Sequence, residues 1–231
     1  MRGVTVRSCW FRICVAFICC AAGAFSVIAA AAPTCEGKLV VPRSEAPTRR
    51  PKLVLAWTGT IAEPMAECIQ AEFDKVRGAV SWVVLSLDSE GGYLPATDRV
   101  IATLRKIRET HHLDTMVAHG GKCWSACVPV FLTGKRRIAA LASTWLFHEV
   151  GVWATEGGNR YRTVDRAASD RIFQDYFVWA GVSEAWLKRL YIVIPHSDYW
   201  QTGQNLWDDK SGIITHPLDN LVPRNTERPK Y

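Results

Sequence analysis

Three short apolar runs, spaced by stretches patterned as helices, constrain this 231-residue chain more than any other feature. Leu53-Val54-Leu55-Ala56-Trp57, the run from Trp82 to Leu87, and Thr115-Met116-Val117-Ala118 have the length and flanks of buried strands. Between the first two, Pro64 opens a helix whose apolar side carries Met65, Ile69, Phe73 and Val76, with Gly78 as its stop. Between the second and third, Pro95 starts another, with Val100, Ile101, Leu104 and Ile107 on one face. A further helix after the third strand completes the alternation. The pattern predicts an α/β fold, right-handed crossovers on a mainly parallel sheet flanked by helices. Sites in such sheets lie beyond the carboxyl ends of the strands.

After His148 the pattern turns helical. Tyr161 to Trp179 reads as a helix ended by Gly181, and Ser183 caps a second with Trp186, Leu187 and Leu190. Tyr191-Ile192-Val193-Ile194 reads as a last short strand, and the chain from Pro217 as a polar, loosely attached tail. The organisation expected is a segment over 1–32, an extended proline-bearing lead-in over 33–51, one domain over 52–216 and a tail over 217–231.

The first of these segments bears on compartment. Arg2, Arg7 and Arg12 precede an apolar run from Ile13 to Ile28 that exits through Ala29-Ala30-Ala31-Ala32. Positive start, apolar core and small-residue exit describe a secretory signal peptide cleaved near Ala31, with an uncleaved membrane anchor as the alternative. Its removal takes three of the six net positive charges and leaves a mildly basic domain with no charge block suited to nucleic acid. Lys135-Arg136-Arg137, the densest basic cluster, reads as a solvated turn. Four of the eight cysteines leave as well, and Cys35, Cys68, Cys123 and Cys127 remain. In an oxidising periplasm or outside the cell they allow three pairings. Cys123 and Cys127, close around one turn, favour Cys35–Cys68 with Cys123–Cys127, and a reduced buried pair is the plainer alternative. A metal on His119, Cys123 and Cys127 lacks an evident fourth ligand, so neither metal nor cofactor is expected.

Three motifs follow strand-like runs. Ser89-Glu90-Gly91-Gly92 can present bare backbone N–H groups, Ser125 sits among small residues after Gly120-Gly121, and His148 ends the run at Phe147. Oxyanion donors, nucleophile and general base are the parts of an acyl-transfer site. Singly each has a plainer reading: a glycine turn, a helix N-cap, a strand-end histidine. Their order and spacing together favour catalysis. His111, His112, His119, His196 and His216 lack such context and read as surface residues. Most tryptophans read as packing, with Trp145 and Trp153 flanking the site.

These residues resemble the ClpP/crotonase superfamily, most closely periplasmic Clp-protease-like proteins, over roughly residues 52–216 and most strongly over 82–150. The resemblance implies repeated ββα/βαβ units and a helical segment after the histidine strand. It aligns Ser89 to Gly92 with the family's Ser-Pro-Gly-Gly turn, Ser125 with its nucleophile and His148 with its base. Residues 131–137 correspond to its apolar helix, glycine and basic turn. Asp198, before Tyr199 to Gln204 and Gly212-Ile213-Ile214, falls at the place of the triad aspartate, with Asp175, Asp208 and Asp209 as rivals. Oxyanion donors would be the N–H groups of Ala126 and of Gly91 or Gly92.

Two departures stand out. Glu90 replaces the family's proline and sets a carboxylate near the oxyanion position, and Trp124 is bulkier than the family's small residue and narrows the pocket. No lysine occurs between Ile138 and Leu187, which favours histidine over the lysine base of the family's membrane peptidases.

The resemblance implies an exported serine hydrolase, a peptidase with a peptide or protein substrate and no ATPase partner. Homo-oligomers are common in this superfamily, and membrane contact would come only through an uncleaved N-terminus. A non-catalytic binding or assembly protein is the alternative. An acyl-CoA enzyme fits less well, because export separates it from its substrate.

Overall fold

The computed structural model describes residues 39–40, 51–156 and 158–220. The expected segment over 1–32, with Cys35 and most of the lead-in, lies outside them. Among the described residues, eleven strands and six α-helices follow in order. The first part runs β1 (Leu39–Val40), β2 (Lys52–Thr58), α1 (Met65–Val76), β3 (Trp82–Asp88), α2 (Leu94–Thr110), β4 (His112–Val117), β5 (Lys122–Trp124), α3 (Cys127–Phe131), β6 (Arg136–Ala139) and β7 (Thr144–Phe147). The second runs β8 (Gly151–Glu156), β9 (Asn159–Val164), α4 (Arg166–Ile172), α5 (Glu184–Val193), β10 (Tyr199–Thr202), α6 (Gly203–Asp208) and β11 (His216–Pro217).

Strands β1-β2-β3-β4-β6-β11 form one sheet, parallel apart from β1. Leu55, Leu85 and Thr115 stand side by side across its middle. Alternate residues Leu53, Leu55 and Trp57 on β2, and Val83, Leu85 and Leu87 on β3, are buried, as a pleat with one covered face requires. Met65, Ile69 and Phe73 of α1 and Val100, Ile101, Leu104 and Ile107 of α2 share the core with them, the faces the 3.6-residue spacing marked.

A second sheet has the order β10-β7-β5, with β7 parallel to β5 and antiparallel to β10. The two sheets meet at Ser89. Its N–H donates to Lys122 O at 2.9 Å and its carbonyl accepts from Trp124 N at 3.0 Å, so the end of β3 is carried alongside β5. The glycine turn, the serine and the histidine follow β3, β5 and β7, and all three strand ends open on one side.

Several expectations are corrected. Arg136 and Arg137 open β6 and are no turn: Arg137 is buried, and its guanidinium donates to Ile213 O at 2.9 Å and Gly212 O at 2.7 Å. Burial, with Arg108 nearby, pushes that guanidinium down to about 10, so it remains a cation at neutral pH. Tyr161 lies on a β8–β9 hairpin where a helix was expected. The helix starts at Arg166, capped by Asp165, and α4 passes into a π-helical turn over Phe173–Val178. Tyr191 to Val193 end α5, and the late strand is β10. Residues 217–220 are attached: Pro217 pairs with Ala139, and Asp219 Oδ2 accepts from Leu141 N at 2.9 Å. Among the described residues no helix is long and apolar enough to cross a membrane.

Candidate active site

The turn after β3 explains its glycines. Gly91 has φ +96°, and a Cβ there would stand 2.6 Å from Trp124 O and 3.0 Å from Ala126 N. At Gly92 a Cβ would overlap the Ile61 carbonyl. Only bare backbone can pass between Ile61 and the serine turn. The two glycines then divide their roles. Gly91 N–H donates to the buried Ser89 Oγ at 3.1 Å, so it is already engaged. Ile61 N donates to Gly91 O at 2.7 Å and Tyr93 N to Ile61 O at 2.9 Å. Bonds on both sides of Gly92 leave its own N–H on the opposite edge of that parallel bridge, beside the cavity it lines.

Ser125 joins β5 to α3 at φ +53°, in the left-handed region that a non-glycine residue seldom adopts. Its N–H donates to Leu146 O at 2.8 Å, and its carbonyl accepts from Val128 N at 3.0 Å. Cys123 and Cys127 are joined by a disulfide across it, with Cα atoms 5.1 Å apart. That bond removes the metal reading on His119, and among the described residues no His/Cys/Asp/Glu cluster could hold a metal ion. Cys68 is also disulfide-bonded. Ala126 N–H donates to no backbone carbonyl among the described residues and lies against Gly91. α3 has only five residues, so its N-terminal dipole adds little at the serine.

His148 follows β7, half-buried, with Nδ1 at 2.6 Å from Glu149 O. A carbonyl only accepts, so Nδ1 donates, and the neutral ring then holds its lone pair on Nε2, the tautomer a general base needs. The loop is held in turn: buried Glu149 pairs with Arg166 at 3.1 Å, and Val150 N donates to Ser169 Oγ at 2.9 Å. Gly92, Ser125, Ala126 and His148 line one cavity of about 490 Å³. Its remaining wall is largely apolar and includes Leu94, Val128, Phe173 and Phe177.

No protein-family model matches this chain, and neither does any curated protein. Among solved structures, a mutant of ClpP1 from Listeria monocytogenes matches with a TM-score of 0.53 over 71% of this chain and 90% of that one, at 14% identity. The fold is ClpP-like.

Within this ClpP-like fold, Asp198 precedes the β7–β10 ladder, whose terminal pair is Tyr199 with Phe147, and so stands at the register position opposite His148. It is exposed, and Nδ1 of the histidine has a carbonyl partner where the triad reading places a carboxylate. The rivals lie elsewhere: Asp208 accepts from Gln204 at 2.9 Å, Asp209 pairs with Arg189 at 3.4 Å, and Asp175 is exposed on the π-helical turn. Asp165 does line the cavity, while its Oδ1 caps α4 by accepting from Ala168 N at 2.9 Å. The sequence carries that signal in an aspartate followed by a helix-forming run, masked because 161–179 also fits one continuous helix.

Four further expectations change. The Glu90 carboxylate does not line the cavity: it accepts from Thr60 Oγ1 at 2.5 Å and lies 3.9 Å from Lys122 Nζ. Trp124 packs edge-on against Trp200 at 5.0 Å, outside the cavity that it was expected to narrow. Trp145 is buried against Phe131, and the Trp153 side chain lies outside what is described. His112 is no bare surface residue, since its Nε2 lies 2.9 Å from the buried Asp114 carboxylate.

Proposed function

We propose that this protein is an exported serine hydrolase, a peptidase acting in the bacterial periplasm or outside the cell. The observation that carries the reading is Ser125 at φ +53°, in one cavity with His148 and Gly92. In the proposed reaction Ser125 Oγ attacks the scissile carbonyl carbon while His148 Nε2 takes its proton. The carbonyl π electrons move to oxygen, which accepts from the N–H groups of Gly92 and Ala126. Collapse expels the amine, protonated by His148, and water repeats the sequence on the acyl-enzyme. The Glu149 carbonyl holds the tautomer, and Asp198, across the ladder, supplies negative charge toward the imidazolium.

The disulfide at the serine supports an oxidising compartment. The substrate class is peptide or protein, with no nucleic acid, and assembly into homo-oligomers is compatible with the fold. Membrane attachment would come only through an uncleaved 1–32 segment. A non-catalytic binding protein is the second reading, favoured by the carbonyl on His148 Nδ1 and the exposure of Asp198.

A fluorophosphonate probe decides between the two. Labelling of the wild type, abolished in Ser125→Ala and His148→Ala, is expected. A folded wild type that stays unlabelled would sink the hydrolase in favour of the binder.

A further inference from the structure

Ser125 sits midway between Cys123 and Cys127, and both sulfur-bearing residues are fully buried. What lies around the serine explains why a bond is needed there. The left-handed conformation of a residue with a Cβ persists only where its surroundings over-determine it. On the upstream side β5 is held by β7 and by Ser89. On the downstream side α3 has five residues, Pro129 within it, and no side-chain cap at Ala126. So short a helix holds itself poorly. Its five buried residues seat α3 in the core, and the disulfide adds a covalent tie at the turn itself, from the first residue of α3 to the middle of β5. A ring closed over a sequence separation of 4 restricts the unfolded chain little, so its effect is local. The backbone it ties carries the serine Oγ and the Ala126 N–H, in the proposed reaction the nucleophile and one oxyanion donor.

We propose that the Cys123–Cys127 disulfide is a positioning element of the active site, and that oxidation of this pair during folding is the step that arms Ser125. The inference rests on the hydrolase reading above. Two thiols cannot occupy the separation of two bonded sulfurs, so in the reduced form Cys123 and Cys127 part and the turn between them shifts. A displacement near 1 Å at reacting groups costs on the order of 10²-fold in rate. Burial keeps the formed bond from reagents in solution, so the arming belongs to folding and does not toggle in the finished protein. With glutathione disulfide as oxidant, each protein sulfur loses one electron and one proton and the S–S bond forms. The oxidant's S–S bond accepts the electrons and protons and leaves as two glutathione thiols.

The test compares wild type refolded with glutathione disulfide, wild type refolded with excess dithiothreitol, and Cys123→Ala/Cys127→Ala. The concentration dependence of fluorophosphonate labelling separates probe binding from the chemical step, and near-UV circular dichroism reports the fold. The expected result is a chemical step slower by about 10–100-fold in the reduced and double-alanine proteins, with probe binding changed less than threefold. Later addition of glutathione disulfide under mild denaturant restores the reduced wild type and leaves the double-alanine protein slow. Cys68→Ala labels like oxidised wild type, which assigns the effect to the pair at the serine. Should the double-alanine protein fail to fold, the reduced wild type carries the comparison, since it retains every residue. Equal rates for folded reduced and oxidised wild type overturn the positioning role and leave the hydrolase standing. An unlabelled but folded oxidised wild type overturns both.

Discussion

Gly91 and Gly59 make a matched pair that separates conformational strain from steric conflict at the site. Their φ angles are +96° and +95°, so alanine at either position meets the same left-handed penalty, about 1–2 kcal/mol. Their surroundings differ. A Cβ on Gly59 meets nothing within 4 Å, whereas one on Gly91 stands 2.6 Å from Trp124 O, 2.9 Å from Ser125 Cβ and 3.0 Å from Ala126 N. None of these is the far end of a flexible side chain, so the serine turn itself must move. Overpacking of this kind adds about 1–3 kcal/mol. Gly59→Ala should therefore lose about 1–2 kcal/mol and Gly91→Ala about 2–5 kcal/mol. With a urea slope near 2 kcal/mol/M, the two midpoints would differ by about 1 M. The functional contrast should be wider. Gly59→Ala should label within twofold of wild type, while displacement of the Ala126 N–H in Gly91→Ala should slow labelling by ~10²–10³. Coincident midpoints and equal labelling rates would refute the idea that the turn is built to bring Gly91 against the serine.

Asp198→Asn separates a carboxylate orienter from a carbonyl one. Nδ1 of His148 is already held by Glu149 O, so the labelling rate should fall less than about 10-fold, and a loss approaching ~10⁴ would restore the aspartate to the triad's central role. Tyr176 predicts an alkaline effect. Burial, and donation of its hydroxyl to Asp98 at 2.6 Å, raise its phenol above 10.0, so the stability it contributes is complete below pH 10 and lost as pH climbs through the raised value. Tyr176→Phe should cost roughly 1.5–3 kcal/mol in urea unfolding at pH 9, a gap that narrows by pH 11, and a gap independent of pH would contradict this account.

The parts legible in the sequence are those whose signal is local. β2, β3, α1 and α2 each carry their own period and their own stops, and the structure keeps them within a few residues. The closeness of Cys123 and Cys127 in sequence favours the bond that the structure shows, and the choice over a reduced pair comes from the structure. What the chain concealed depends on distant partners. β5 is three residues long, too short for a pattern, and exists because Ser89 and β7 flank it. β6 hid behind its charges: Arg137 is buried only because the carbonyls of Gly212 and Ile213, some 75 residues later, receive it. The run at Tyr191 fits strand or helix equally, and the cap at Ser183 with the packing of Trp186 and Leu190 decides for helix. At the site, residue types were readable and directions were not. Nothing in Glu90 foretells that Thr60 takes its carboxylate away from the cavity.

β7 lies between β5 and β10, and that placement governs when the site can come into being. A chain emerging through α5 already contains Gly92, Ser125 and His148, yet the strand that delivers the histidine still has one bare edge. Tyr199 to Thr202 close it, pairing with Phe147 back to Thr144. Until then the Leu146 carbonyl that fixes the serine turn rides on a strand paired on one edge alone, against β5. Completion of the histidine strand thus waits on a segment that follows α5 in the chain, so the site is closed by one of the last strands to be made.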